Sequence, residues 1–190
     1  MIASLQSHGL YDSTWIVIAS PWGQSKVDRF APISTIQDAI ERQYPGTVAH
    51  ISGGNGASIW LKDHSATSPV VTALRANATA LQIQDIYSGE RLALTFNRPE
   101  RDPRVPDIIL QPQPGLAWSS DHAKLMFGGI SDSATHVALL VSGSQLTGRT
   151  DPTLVPATQL SPLLLRALGM EKFDLQALHM EHSPALPGIF

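Results

Sequence analysis

Apolar residues in this chain arrive in short runs separated by glycine, proline and small polar residues, which predicts many brief elements rather than long amphipathic helices. Thr14-Trp-Ile-Val-Ile-Ala-Ser20 is the strongest strand, led in by Asp12 and Ser13 and stopped at Pro21-Trp22-Gly23. Thr47 to Ser52 and Ala57 to Lys62 form a strand pair joined by Gly53-Gly54-Asn55-Gly56, and Leu81 to Tyr87 follows with Ser88-Gly89 as its stop. Asp107 to Leu110 and Thr135 to Val141 lack polar alternation, as expected of strands covered on both faces. Helical spacing appears at Ile2, Leu5 and Leu10, with Gly9 as the stop, and at Ile36 and Ile40 behind a Ser34/Gln37 capping box. It recurs at Val70, Val71, Leu74 and Ala78 behind Ser68-Pro69, and at Leu160, Leu163, Leu164 and Leu168 with Pro162 in the first turn and Gly169 as the stop. A short helical turn is expected around Leu175 to Leu178. Strands alternating with helices predict an α/β fold, a mostly parallel or mixed central sheet flanked by helices.

Composition narrows the class. The 190 residues suit a single domain, residues 1–190, and the proline- and arginine-rich stretch from Asn97 to Pro106 reads as a surface loop because no composition shift follows it. A net charge of −3 with scattered Lys and Arg argues against a nucleic-acid surface. Without cysteine there are no disulfides, thiolate metal sites or thiol nucleophiles. The opening Met-Ile-Ala-Ser-Leu-Gln-Ser-His-Gly has neither a basic leader nor a long apolar core, so no signal peptide is expected, and no apolar run approaches the ~20 residues that span a bilayer. Compartment is left open.

Candidate chemistry centres on Lys124-Leu-Met-Phe-Gly-Gly-Ile-Ser-Asp132, between the two strands read as buried. In α/β sheets, ligands gather beyond strand ends, so the Gly128-Gly129 pair is where a site is sought. The side chain just before it, Phe127, offers no lone pair, proton or charge. The glycine-rich Gly53 to Gly56 loop has the composition of a phosphate cradle, but it opens no predicted helix and carries no following Lys-Ser or Lys-Thr, so a hairpin turn is the better reading.

Tyr11-Asp-Ser-Thr-Trp-Ile-Val-Ile-Ala-Ser-Pro-Trp-Gly-Gln-Ser25, Ile59-Trp-Leu-Lys-Asp63, Pro106-Asp-Ile-Ile-Leu-Gln-Pro-Gln-Pro-Gly115, Gly128-Gly129, His136-Val-Ala-Leu-Leu-Val-Ser142 and Thr158-Gln-Leu-Ser-Pro-Leu-Leu-Leu-Arg-Ala-Leu-Gly169 occur in this order, with Leu186-Pro-Gly near the end. Together they resemble the later part of the catalytic domain of the type I phosphodiesterase/nucleotide pyrophosphatase branch of the alkaline phosphatase superfamily. The resemblance implies a partial alkaline-phosphatase-like domain. It also implies two divalent metals, usually zinc, that activate a Ser or Thr nucleophile, with the nucleophile and the first aspartate ligand in the family's earlier part. Two histidine ligands would fall here, one in a Lys-His-Gly-Gln motif and one in a His-Gly-Gly motif. Trp22 and Phe127 stand at the matching positions. Zinc takes nitrogen, sulfur or oxygen donors at about 2.0 to 2.3 Å, which neither ring supplies, so no resident metal is expected in this chain.

The chain carries other donor residues. Asp121 and His122 precede Phe127, and Asp132 and His136 follow it, so His122, Asp132 and His136 form an alternative metal set; turn shaping by Asp132 and a strand start at His136 is the plainer reading. Asp63 and His64 follow a strand as a possible acid/base pair, against turn capping. His179, Glu181 and His182 lack the i, i+4 spacing of a zinc-protease helix. Ser142 and Ser144 lack a nucleophile elbow. Asn77-Ala78-Thr79 is a glycosylation sequon inside a predicted helix. The expectation is a truncated, catalytically degenerate phosphodiesterase-like protein with a binding role, set against an active metal-dependent hydrolase completed by a missing half or a second chain. The expected partners are a second copy or a protein covering exposed sheet surface, with neither nucleic acid nor membrane.

Overall fold

The computed structural model describes residues 1–170 and Leu186. The turn expected at Leu175 to Leu178 and the candidates His179, Glu181 and His182 lie outside the described residues. Contacts divide the chain into two compact units, Trp22–Val137 and a second formed by Met1–Pro21 with the segment that begins at Ala138.

The larger unit is built on a four-stranded sheet. Strand β4 (Val48–Ser52) turns through Gly53 to Gly56 into β5 (Ala57–Leu61), β5 pairs with β7 (Ile108–Pro112), and β7 pairs with β6 (Ile83–Ser88), all antiparallel. Helices α2 (Ser34–Glu41) and α3 (Thr67–Ala76) pack beside it, α2 against β4 and α3 against β6. Ile36 and Ile40, one turn apart on α2, join Val70, Val71 and Leu74 of α3, Ile59 of β5 and Ile108 and Leu110 of β7 in the main core. Burying each such side chain contributes roughly 1.5–3 kcal/mol. The other face of β7 puts Ile109 against Val105 and against Leu92 of α4 (Gly89–Ala93), a short helix the sequence reading did not anticipate. Both faces of β7 are therefore covered, which is why its sequence shows no alternation.

A parallel pair, β3 (Arg29–Ala31) with β8 (Leu116–Trp118), and an antiparallel ribbon, β2 (Gln24–Lys26) with β9 (Leu125–Phe127), complete this unit together with α5 (Asp132–Thr135). The α/β class holds, with pairing mixed across several small sheets: the four-stranded sheet is antiparallel throughout, and among the described residues the parallel pairing is that of the separate β3/β8 pair.

Local punctuation differs from expectation in instructive ways. Ser34 is the first residue of α2 rather than its cap, because the chain enters from a turn in which the carbonyls of Pro32 and Ile33 take the first helical N–H groups. Upstream of α3, Asp63 caps a 3-10 turn at His64–Ala66 by accepting from Ser65 N at 2.9 Å, which leaves Ser68 inside the helix. Strand β6 starts at Ile83 because Gln82 adopts a left-handed φ of 54°.

In the smaller unit, α1 (Ile2–Ser7) precedes β1 (Ile16–Ala19), which pairs antiparallel with β10 (Leu139–Ser142). Strand β10 is shorter than the Thr135 to Val141 run: Asp132–Thr135 is helical, and the strand itself is not covered on both faces, with Leu140 51% exposed. Helix α6 (Leu160–Ala167) has Pro162 in its first turn, Leu163 buried and Gly169 at a left-handed φ of 75° after its end. No helix among the described residues is long and apolar enough to cross a membrane.

Candidate functional site

The β2/β9 ribbon carries the Trp22 and Phe127 positions. Gln24 lies opposite Phe127, so Trp22, two residues earlier, sits at the same end of the ribbon as Phe127. Both rings are more than half exposed, at 58% and 63%.

The turn behind them is held by the hairpin loop. Asn55, only 6% exposed, donates from Nδ2 to Gly128 O at 2.7 Å and to Ser25 Oγ at 2.9 Å. Ser25 Oγ lies 3.2 Å from Ser133 Oγ, and Ser133 Oγ lies 3.1 Å from Ser131 Oγ, so hydroxyls continue the network to the start of α5. Gly129 has a φ of 90° and lies so close to Asn55 that a Cβ there would stand 2.4 Å from the Asn55 carbonyl oxygen. Glycine at this position is thus required by both backbone conformation and space. The Gly53 to Gly56 loop is a turn that buttresses the aromatic ribbon, and it supplies no phosphate cradle at a helix start.

The remaining candidate residues near this turn are positioned by local contacts, mostly of the backbone. Asp132 opens α5, and its carbonyl accepts the His136 N–H at 2.8 Å. The His122 ring packs edge-on against Phe30, centroids 4.7 Å apart at 71°. Asp121 N donates to Ser119 Oγ at 3.0 Å. Among the described residues no three His, Asp or Glu side chains are grouped to hold a metal ion, so His122, Asp132 and His136 are not brought together as a ligand set. The Trp22 and Phe127 side chains do not fit a resident metal either: protonated indole nitrogen donates and phenyl offers nothing.

A second cluster lies at the entrance to β7. Asp107 is 2% exposed, and its Oδ2 accepts Leu61 N at 2.8 Å while Oδ1 lies 2.5 Å from His64 Nδ1 and 3.5 Å from the Thr67 hydroxyl. The hydrogen bond to Asp107 raises the pKa of His64 above its ordinary value, with smaller contributions from the charges of Glu100 and Asp63. Asp63 itself points its carboxylate to Ser65, so the sequence neighbours Asp63 and His64 are a cap and a member of a different pair.

No family model matches the sequence, and no curated protein does. Solved structures do. Human ectonucleotide pyrophosphatase/phosphodiesterase 5 superposes with a TM-score of 0.61 at 19% identity, covering 90% of this chain and 44% of that one. The murine protein of the same name gives 0.59 at 19% identity, covering 93% of this chain and 48% of that one. The fold is similar to part of the fold of these two proteins. The chain spans about half the length of these neighbours, and the likeness is one of fold.

Within this fold, the sequence located the glycine turn but missed two things that organise it. The Asn55 bridge joins residues far apart in sequence, and its only local signal is an asparagine among glycines. The Asp107 partner of His64 is 43 residues away in sequence; its signal is an acid at the mouth of an apolar strand, directly after Pro106. Of the other candidates, Asn77 ends α3 and turns its Nδ2 back to Ala73 O at 2.8 Å, and Ser144 Oγ donates to Asp12 O at 3.3 Å.

Proposed function

We propose that this chain is a catalytically degenerate phosphodiesterase-like domain that acts by binding rather than by turnover. The observation that supports this most is the placement of Trp22 and Phe127 at one end of the β2/β9 ribbon, beside the glycine turn where the family resemblance puts histidine ligands. Neither aromatic ring supplies a donor that zinc would take. A second reading, an active metal-dependent phosphoester hydrolase completed by a further half of the fold, draws support from the 44% and 48% coverage of the neighbouring structures.

The experiment is a steady-state assay with bis-p-nitrophenyl phosphate and added zinc or manganese, on the wild type, on Trp22→His with Phe127→His, and on Trp22→Ala with Phe127→Ala. None of the three is expected to show saturable turnover, and the double-histidine protein alone gains weak metal affinity after dialysis and gel filtration. A metal by itself polarises a phosphoryl oxygen and acidifies water, so slow unsaturable hydrolysis is compatible with the proposal. Wild-type turnover overturns it in favour of the second reading.

A binding role has a candidate surface in the smaller unit. Ile18 and Leu140 are cross-strand partners on the β1/β10 ribbon, 59% and 51% exposed, and neither strand contains a charged residue or a proline. Exposed ribbon edges without such guards pair with other chains. Light scattering is expected to show self-association that weakens in Ile18→Lys; a clean monomer at high concentration counts against this surface.

A further inference from the structure

The His64/Asp107 cluster is separate from the aromatic ribbon, and its geometry has a use of its own. Asp107 accepts the Leu61 N–H, the Thr67 hydroxyl and His64 Nδ1, so the buried carboxylate fixes the imidazole with its proton on Nδ1 and leaves Nε2 for a ligand. The His64 side chain is 43% exposed and lines a cleft with Arg98, Glu100 and Gly89. Arg98 gives one N–H to Glu90 Oε1 at 2.6 Å and retains others for a ligand. A buried acid holding Nδ1 of a half-exposed histidine that lines a cleft is an arrangement suited to a general base.

We propose that His64, oriented by Asp107, is the general base of a site that hydrolyses small, uncharged carboxylic esters. Nε2 takes a proton from water as the water oxygen bonds to the ester carbonyl carbon. The carbonyl π electrons move to oxygen, and the oxyanion is stabilised by an Arg98 N–H. Collapse reforms the carbonyl, breaks the bond to the leaving alkoxide, and returns the proton from Nε2 to that oxygen, giving acid and alcohol.

The surrounding charges select for a neutral substrate. Glu100 and Asp63 act on His64 beside Asp107, while the single guanidinium of the cleft is shared with Glu90, so the cleft carries excess negative charge. An anionic phosphodiester would be repelled from Nε2, which makes this site independent of the phosphodiesterase-like reading. The hydrogen bond that raises the His64 pKa also makes Nε2 a stronger base, available only above that raised value.

The test is p-nitrophenyl acetate hydrolysis by the full chain across about pH 5 to 10, with free imidazole as the reference. Wild type is expected to saturate and to exceed equimolar imidazole, with kcat/KM rising through an inflection above the ordinary histidine value. His64→Gln should lower kcat/KM by about 100-fold or more. Asp107→Asn keeps an acceptor for Leu61 N and should lower the rate by about 10-fold while moving the inflection to lower pH. Arg98→Gln, exposed and outside the core, should lower kcat with KM and the inflection unchanged. His8→Gln, on an exposed turn of the other unit, should change nothing. A wild-type rate no greater than imidazole, a His64→Gln protein as fast as wild type, or an unshifted inflection in folded Asp107→Asn each overturns the proposal and leaves Asp107 as a purely structural acceptor. Failure here leaves the bis-p-nitrophenyl phosphate result, and the reading that rests on it, untouched.

Discussion

Replacing Trp118 with alanine is expected to destabilise the protein by roughly 3–5 kcal/mol, the range for large aromatic truncations in a packed core. Trp118 is 1% exposed, belongs to the main cluster and lies at the end of β8 opposite Ala31 of β3. Its backbone is equally committed: the N–H donates to Gly54 O at 3.0 Å, and its carbonyl lies where a Cβ on Gly53 would come within 2.3 Å. The hairpin loop is therefore gripped by the same residue whose ring fills the core, so the cavity cannot close by moving β8 without releasing Gly53 and Gly54. Urea denaturation followed by intrinsic fluorescence and circular dichroism measures the loss. A change below about 1 kcal/mol would mean that the site relaxes freely and that this account of β8 is wrong.

Asp107→Ala is the second large effect, expected at about 2–4 kcal/mol, because it leaves the Leu61 N–H without its acceptor in a buried position. His64 adds less than a buried partner would, since its side chain is 43% exposed and water replaces the lost carboxylate. The pH dependence tells the two contributions apart. The folded pKa of His64 is raised above its unfolded value. The stability this gives is complete below the ordinary histidine pKa of about 6.5, and it is lost as pH rises through the folded value. Wild type should therefore lose urea resistance between mildly acidic and mildly alkaline solution. Asp107→Ala should lack that component while keeping the pH-independent loss from Leu61. Parallel slopes in the two proteins would remove His64 from the account.

Both effects arise where residues distant in sequence meet, and the sequence reading divides along that line. The hairpin around Gly53 to Gly56, the helix with Ile36 and Ile40, and the Pro162 start and Gly169 stop of α6 were legible, because each depends on local periodicity and on backbone preferences of glycine and proline. The Asp107 to Leu110 run was legible as buried because apolar residues on both faces leave no other solution. Strands β8 and β9 were not. They are three residues each, too short to show a period, and exist because β3 and β2 offer them partners.

The Ser34 capping box shows the limit of a local signal. Ser34 and Gln37 have the right spacing, yet the carbonyls of Pro32 and Ile33 satisfy the same N–H groups, so the chain has no need of the side-chain cap. Thr135 to Val141 shows another, since Asp132 draws the start of that run into a helical turn.

For the candidate sites, the sequence by itself determined which chemistry was available. It excluded thiols, put Trp22 and Phe127 where the resemblance calls for imidazoles, and supplied Gly129 at a position that tolerates no side chain. Tertiary structure alone decided the pairings. It joined His64 to Asp107 rather than to its neighbour Asp63, sent Asn55 to Gly128 and Ser25, and put the His122 ring against Phe30 rather than in a ligand set with Asp132 and His136. Residue type and local spacing fix what a side chain is able to donate or accept, whereas which partner it meets depends on strand register and loop closure over tens of residues, and those are set by the burial of the whole core.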